Sequence, residues 1–185
     1  MWQLAAAFAE IAMRRRGPET LPDSKFLVAA LLVIAVLIGV GDLAMRNRFS
    51  SANFAYLFLD AVLWLAYVFA VLSFFKLERR YLQTLAATLG AQLIIYLVYL
   101  PAALGVMLVG FDLIDSPPGR ILSWLLVLWT AFVAAWILAR ALSQPLIVGL
   151  MFEILYILTS LSIGDLLLPD VDPATEASGA MESTA

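Results

Sequence analysis

The chain has 185 residues, 64% of them hydrophobic and 14% charged, with a formal net charge of -3 and a mean hydropathy of +0.98, whereas soluble domains are about half apolar and a quarter charged; an integral membrane protein is expected. Cysteine and histidine are both absent, which excludes disulfides, thiolate zinc sites, imidazole haem ligation and histidine-dependent nucleophilic triads. The cations lie beside apolar segments rather than in a separate basic domain, so no nucleic-acid partner is expected.

Residues 1–16 begin with MWQLAAAFAEIAM and only then reach Arg14, Arg15 and Arg16. A secretory signal has its positive region before its apolar one, so this segment is expected to be retained. It predicts an amphipathic helix lying at the membrane interface. Leu4, Phe8 and Ile11 share one stripe, Trp2 suits the headgroup level, and the three arginines meet anionic lipid. The alternative is that the same stripe packs on the protein's own transmembrane bundle.

Five apolar runs follow, each long enough to cross a hydrocarbon core of about 30 Å at about 1.5 Å per residue. The first covers 26–45, introduced by Pro22, Asp23 and Ser24 as helix-start residues. The second covers 54–75. The third, 82–111, is long enough to need tilt or a break, and Pro101 offers the break by removing one backbone hydrogen bond. The fourth covers 121–142 after a Ser116, Pro117, Pro118, Gly119 turn, and the fifth covers 145–168, stopped by Pro169. Barrel strands would alternate apolar with polar residues, and these runs are continuous. The predicted fold is therefore all-α: a polytopic bundle of five transmembrane helices spanning residues 17–168, preceded by the interfacial helix. The last segment, 169–185, is acidic and poor in apolar residues, so it is expected to form a flexible tail.

Orientation follows from the cations, which are retained on the cytoplasmic side. Arg14, Arg15, Arg16, Lys25, Lys76, Arg79, Arg80 and Arg140 fall on one side, against Arg46, Arg48 and Arg120 on the other. The second side also carries Asp112, Asp115, Asp170, Asp172, Glu176 and Glu182. This predicts a cytoplasmic N-terminus and a periplasmic C-terminus.

An acid inside an apolar span is costly and normally faces protein, water or a partner. Asp42 and Asp165 lie near span ends, with Arg46 four residues from Asp42 on the same helix face, and read as structural. Asp60 and Glu153 lie about two turns inside their spans and are the candidate functional acids. They serve either as a proton or cation relay or a buried contact to another subunit, or as bundle struts bonded to groups such as Gln92, Thr88, Tyr96 or Ser123, with Arg140 a further partner for Glu153. Ala86 and Gly90, and the edge Ala131, Ala135 and Ala139, are spaced for close helix contact. Trp64, Trp124, Trp129 and Trp136 read as belt and packing residues. No phosphate loop, metal-ligand cluster or nucleophile with a base is visible, so no catalysis, cofactor or metal is expected.

At the third span, Arg80, Tyr81, Leu82, Gln83, Thr84, Leu85 and Ala86, with Pro101 further along the same run, resemble the signature of the Yip domain family of five-span, Ypt-interacting membrane proteins. The short N-terminus and terse loops resemble its bacterial members. The resemblance covers roughly residues 20–168 and implies a five-span plan with the N-terminus cytosolic and little soluble mass. It also implies that Gln83 and Thr84 belong to the helix entry, bonding to headgroups or to a neighbouring helix. The expected function is a non-enzymatic scaffold or accessory subunit of a bacterial inner-membrane complex, with the lipid bilayer and other membrane subunits or further copies of itself as partners. The alternative is a small transporter or channel-forming oligomer in which Asp60 or Glu153 lines an aqueous path.

Overall fold

The computed structural model describes residues 2–45, 50–111 and 116–167. Helix α1 covers Trp2–Ala12, α2 Lys25–Met45, α3 Ser51–Phe74, α4 Tyr81–Leu108, α5 Pro117–Ala141 and α6 Leu146–Leu167, with single 3-10 turns at Pro18–Thr20 and Glu78–Arg80. Helices α2 to α6 are the five long and apolar enough to cross a membrane, and the described residues contain no strand. The chain is thus an all-α membrane protein. Expectations for the Trp2 side chain, Arg46, Arg48, Asp112, Asp115, the Asp165 side chain and the 169–185 tail lie outside the described residues.

Three of the long helices start on a serine. Ser24 Oγ accepts from the Leu27 amide at 3.3 Å, Ser50 Oγ from the Asn53 amide at 3.2 Å and Ser116 Oγ from the Gly119 amide at 3.2 Å. Each satisfies one amide that the first helical turn leaves without a partner. These caps explain why α3 and α5 begin a few residues before the apolar runs at 54 and 121: serine, asparagine and proline can fill a first turn outside hydrocarbon.

The ends of α1, α3, α4 and α5 follow one plan. Arg14, Lys76, Ser143 and Gly110 adopt left-handed φ values of 61°, 58°, 56° and 85°. The amide after each returns to the last turn, from Arg15 to Glu10 O at 2.7 Å, Leu77 to Leu72 O at 2.8 Å, Gln144 to Ala139 O at 2.9 Å and Phe111 to Val106 O at 3.1 Å. Glycine suits that conformation and a side chain with a Cβ is strained in it. Lys76→Gly is therefore expected to be more stable than Lys76→Ala by about 1 kcal/mol in reversible unfolding in mixed micelles. Equal stabilities would show that the α3 stop carries no strain.

Of the two expected outcomes, tilt or a break at Pro101, the break does not occur: the helix runs without interruption from Tyr81 to Leu108. Proline removes one backbone bond, and inside a packed membrane helix the neighbouring turns keep the remainder satisfied. At 28 residues the helix is about 42 Å long, so its extra length must be absorbed by tilt or by projection beyond the hydrocarbon.

Helix α4 is the hub, in contact with α1, α2, α3 and α5, while α6 closes the bundle between α5 and α3. Its segment Thr84–Ala91 is buried without interruption. Helix α1 corrects the interfacial expectation. Phe8 and Ile11, read as lipid-facing, are 4% and 0% exposed and belong to the main core. Leu4 packs against the same cluster. The trough that admits them is made by small residues, since a Cβ at Gly90 would overlap the Phe8 ring, and a fitted trough offers the ring dispersion contacts from two sides. Arg14, Arg15 and Arg16 do remain exposed. The Arg14 guanidinium stacks over the Phe132 ring of α5 at 4.9 Å, and Arg16 pairs with Glu10 at 3.3 Å.

The alanine edge of α5 has a comparable role. Ala135 and Ala139 face Gly149 of α6, where an added Cβ would overlap the Ala135 carbonyl and stand 2.9 Å from the Ala139 Cβ. Ala131, the third member of the edge, is only partly buried.

Candidate functional site

Asp60 is the centre of the best-developed polar cluster within the spans. On α3, Tyr56, Asp60 and Tyr67 recur at intervals that place them on one helix face; on the antiparallel α6, Glu153, Tyr156 and Ser160 do the same. The two faces meet. Asp60 Oδ1 accepts from Tyr156 Oη at 2.7 Å and from Ser160 Oγ at 2.5 Å. Ser160 Oγ is also 3.1 Å from Tyr56 Oη. Two turns along α3 and one along α6, Tyr67 Oη donates to the Phe152 carbonyl at 2.5 Å, and the Tyr67 and Tyr156 rings lie 5.4 Å apart in a tilted arrangement.

This geometry makes Asp60 an acceptor held by two hydroxyl donors from a facing helix. It can brace α3 to α6, together with the Tyr67 contacts to Phe152 and Tyr156. The partners differ from those anticipated. Thr88 returns its hydroxyl to the Thr84 carbonyl of its own helix at 3.0 Å, and Tyr156 and Ser160 take the role assigned to Thr88, Gln92, Tyr96 or Ser123. The overlooked signal was the spacing Tyr56, Asp60, Tyr67 matched by Glu153, Tyr156, Ser160, two polar stripes that only an antiparallel pairing of α3 and α6 brings together.

Glu153 sits three residues, about 4.5 Å of helix rise, from Tyr156 and is partly buried. Its proposed pairing with Arg140 is not formed: the single ion pair among the described residues is Arg16 with Glu10, and Arg140 lies over the Trp136 ring at 5.6 Å. Arg140 belongs to the last turn of α5, while Glu153 faces α3 from the second turn of α6.

Asp42 is placed apart from Asp60 and Glu153. It lines a cavity of about 300 Å³ between α2, α4 and α5, to which Gln92, Tyr96 and Thr130 contribute the other polar groups. The groove on α4 between α2 and α5 therefore has two occupancies along its length, with Phe8 of α1 seated at Gly90 and open space beside Gln92 and Tyr96.

The residues at the entry to α4 all bond to protein. Arg80 Nη1 donates to the Ala141 carbonyl at 2.7 Å and to Ser143 Oγ at 2.9 Å, placing a cation on the C-terminal carbonyls of α5, where the helix dipole favours it. Gln83 Nε2 donates to the Leu21 carbonyl at 3.2 Å. Thr84 Oγ1 donates to the Arg80 carbonyl at 2.8 Å. Arg80 and Gln83 thereby tie two segments distant in sequence, at Leu21 and at Ala141–Ser143, to one helix end. Pro101 makes no comparable connection.

No group of three or more metal-ligating side chains occurs among the described residues. The fold and these clusters define a polytopic helical membrane protein. Comparison of the chain with family models, with characterised proteins and with solved structures returns no match.

Proposed function

We propose that the protein is a non-enzymatic scaffold or accessory subunit of a larger complex in a bacterial inner membrane, Yip-like in plan, with its N-terminus cytoplasmic and its C-terminus periplasmic. The observation that carries this reading is the engagement of Asp60 by Tyr156 and Ser160. Of the two intramembrane acids that a relay could use, Asp60 is committed to holding α3 against α6. What the spans offer outward is broad apolar surface, including Phe26, Phe74 and Trp124, which are 83%, 79% and 65% exposed. In a membrane such surface meets lipid or the helices of another subunit. The run of cations toward one end of the bundle, Lys76, Arg79, Arg80 and Arg140, supports the orientation through their retention on the cytoplasmic side, and the Arg80 to Ala86 likeness supports the family plan.

Extraction of the intact protein in native-membrane nanodiscs, followed by mass spectrometry, tests the proposal. A second subunit or a second copy in constant ratio is expected. A protein that is strictly monomeric and alone in every preparation would overturn it. Proton or cation flux in proteoliposomes that disappears in Asp60→Asn or in Glu153→Gln would instead establish the transporter alternative.

A further inference from the structure

At the basic end of the bundle, four parts of the chain converge on one cavity of about 490 Å³: Glu19 from the first 3-10 turn, Arg80 from the entry to α4, Ala139 and Arg140 from the last turn of α5, and Ser143 and Gln144 from the turn into α6. The walls are built rather than incidental. Arg80 is fixed by its bonds to the Ala141 carbonyl and Ser143 Oγ, and it keeps further N–H donors, since a guanidinium carries five. Arg140 is laid over the Trp136 ring. Glu19 is held on a turn whose Pro18 is buried and whose Thr20 Oγ1 donates to the Gly17 carbonyl at 2.9 Å. Gln83 anchors the same segment by its bond to the Leu21 carbonyl.

The charge pattern is specific. Two guanidinium groups and one carboxylate line the cavity, yet neither arginine forms an ion pair with Glu19, the sole pair among the described residues being Arg16 with Glu10. A ligand that joins them must carry an anion and, a few bonds away, a cationic or hydroxylic hydrogen-bond donor. Arginine pairs offer the parallel N–H donors that a phosphate accepts. A carboxylate in the same cavity disfavours a purely anionic ligand and accepts from an ammonium. The site lies at the ends of two spanning helices, α4 and α5, one helical turn from Trp136, a residue type that settles at the headgroup level of a bilayer, and its volume is that of a small-molecule site.

We propose that this cavity binds the head group of a zwitterionic phospholipid bearing a primary ammonium, a phosphoethanolamine group, with the phosphate between Arg80 and Arg140 and the ammonium at Glu19. Ser143 and Gln144 supply neutral hydrogen bonds at the rim. Lipid chains then run along the adjoining apolar helix surface. The consequence for the fold is a lipid that bridges the α1–α2 connection to the α5–α6 turn.

Native mass spectrometry of the full-length protein, titrated with phosphatidylethanolamine, phosphatidylcholine or phosphatidylglycerol in detergent, tests this. Phosphatidylethanolamine is expected to bind at least tenfold more tightly than phosphatidylcholine, whose trimethylated head has no N–H to give. Arg140→Gln is expected to weaken phosphatidylethanolamine binding about tenfold, the scale of one charge-assisted hydrogen bond. Glu19→Gln is expected to remove the preference over phosphatidylcholine while leaving phosphate recognition. Both residues are exposed, so both variants should keep the parent's unfolding temperature. Equal retention of all three lipids, an Arg140→Gln variant that binds as the parent does, or displacement of the lipid by inorganic phosphate at comparable concentration would each overturn the assignment, the last in favour of a free-phosphate site.

Discussion

Replacement of Gly149 by valine is expected to cost about 3 kcal/mol or more in reversible unfolding, among the largest effects of any single substitution in this chain. The reason is that the obstacle is backbone. A Cβ at Gly149 would overlap the Ala135 carbonyl oxygen and lie 2.9 Å from the Ala139 Cβ, and neither can rotate away as the end of a long side chain can. Helix α5 and α6 would have to separate along the whole of their contact. In lipid there is no hydrophobic drive to bring them back, because the hydrocarbon is as apolar as the interface, so the loss falls on dispersion contacts directly. Gly105 provides the control, since a Cβ there meets nothing within 4 Å. Gly105→Ala should be neutral or mildly stabilising through helix propensity. Equal effects at the two positions would show that the α5–α6 contact is not close-packed.

Asp60→Ala is expected to cost about 2 kcal/mol in the same measurement, and Asp60→Asn less than half of that. Alanine removes the carboxylate to which the Tyr156 and Ser160 hydroxyls donate at 2.7 and 2.5 Å, leaving Tyr156 only the long 3.5 Å contact to the backbone carbonyl of residue 60 and Ser160 only Tyr56. An orphaned donor of this kind costs about 1–3 kcal/mol, although interhelical hydrogen bonds measured in membranes average nearer 0.6 kcal/mol. Two donors converging on one carboxylate oxygen place the expectation between those limits. Asparagine keeps a carbonyl acceptor for one or both. A cycle combining Asp60→Ala with Tyr156→Phe should show coupling, because the second change removes a hydroxyl the first has already stranded. Additive losses would mean that the two groups do not act together. If Asp60 is a strut, ion flux in proteoliposomes should be unchanged by Asp60→Asn while stability moves.

Both predictions concern contacts between helices, and these were the least legible part of the sequence. Small residues at 131, 135 and 139 marked an edge for close approach, yet nothing in their spacing named Gly149 as the facing residue or showed that 135 and 139, rather than 131, would meet it. Asp60 was visible as an anomaly in an apolar run. Its partners were not, because Tyr156 and Ser160 are ordinary in composition and nearly a hundred residues away, and only the antiparallel register of α3 and α6 aligns them. The first helix shows the opposite limit. Its apolar stripe of Leu4, Phe8 and Ile11 was correctly seen as a surface that needs covering, but amphipathic periodicity does not distinguish lipid from protein as the cover. The trough at Gly90 decided it.

By itself the sequence determined that the chain is all helical and has five segments able to cross a bilayer, because a continuous apolar run of about 20 residues must satisfy its backbone internally wherever water is excluded. Of the serine caps it marked the one at Ser24 before α2, whereas Ser50 and Ser116 start α3 and α5 a few residues ahead of the apolar runs. Only the tertiary structure decided that Pro101 would lie inside an unbroken helix, that α1 would enter the bundle, and that Glu19, Arg80 and Arg140 would share one cavity. Those outcomes depend on which helix faces which. In an apolar solvent that choice is made by shape and by a few hydrogen bonds, neither of which is written in local hydropathy.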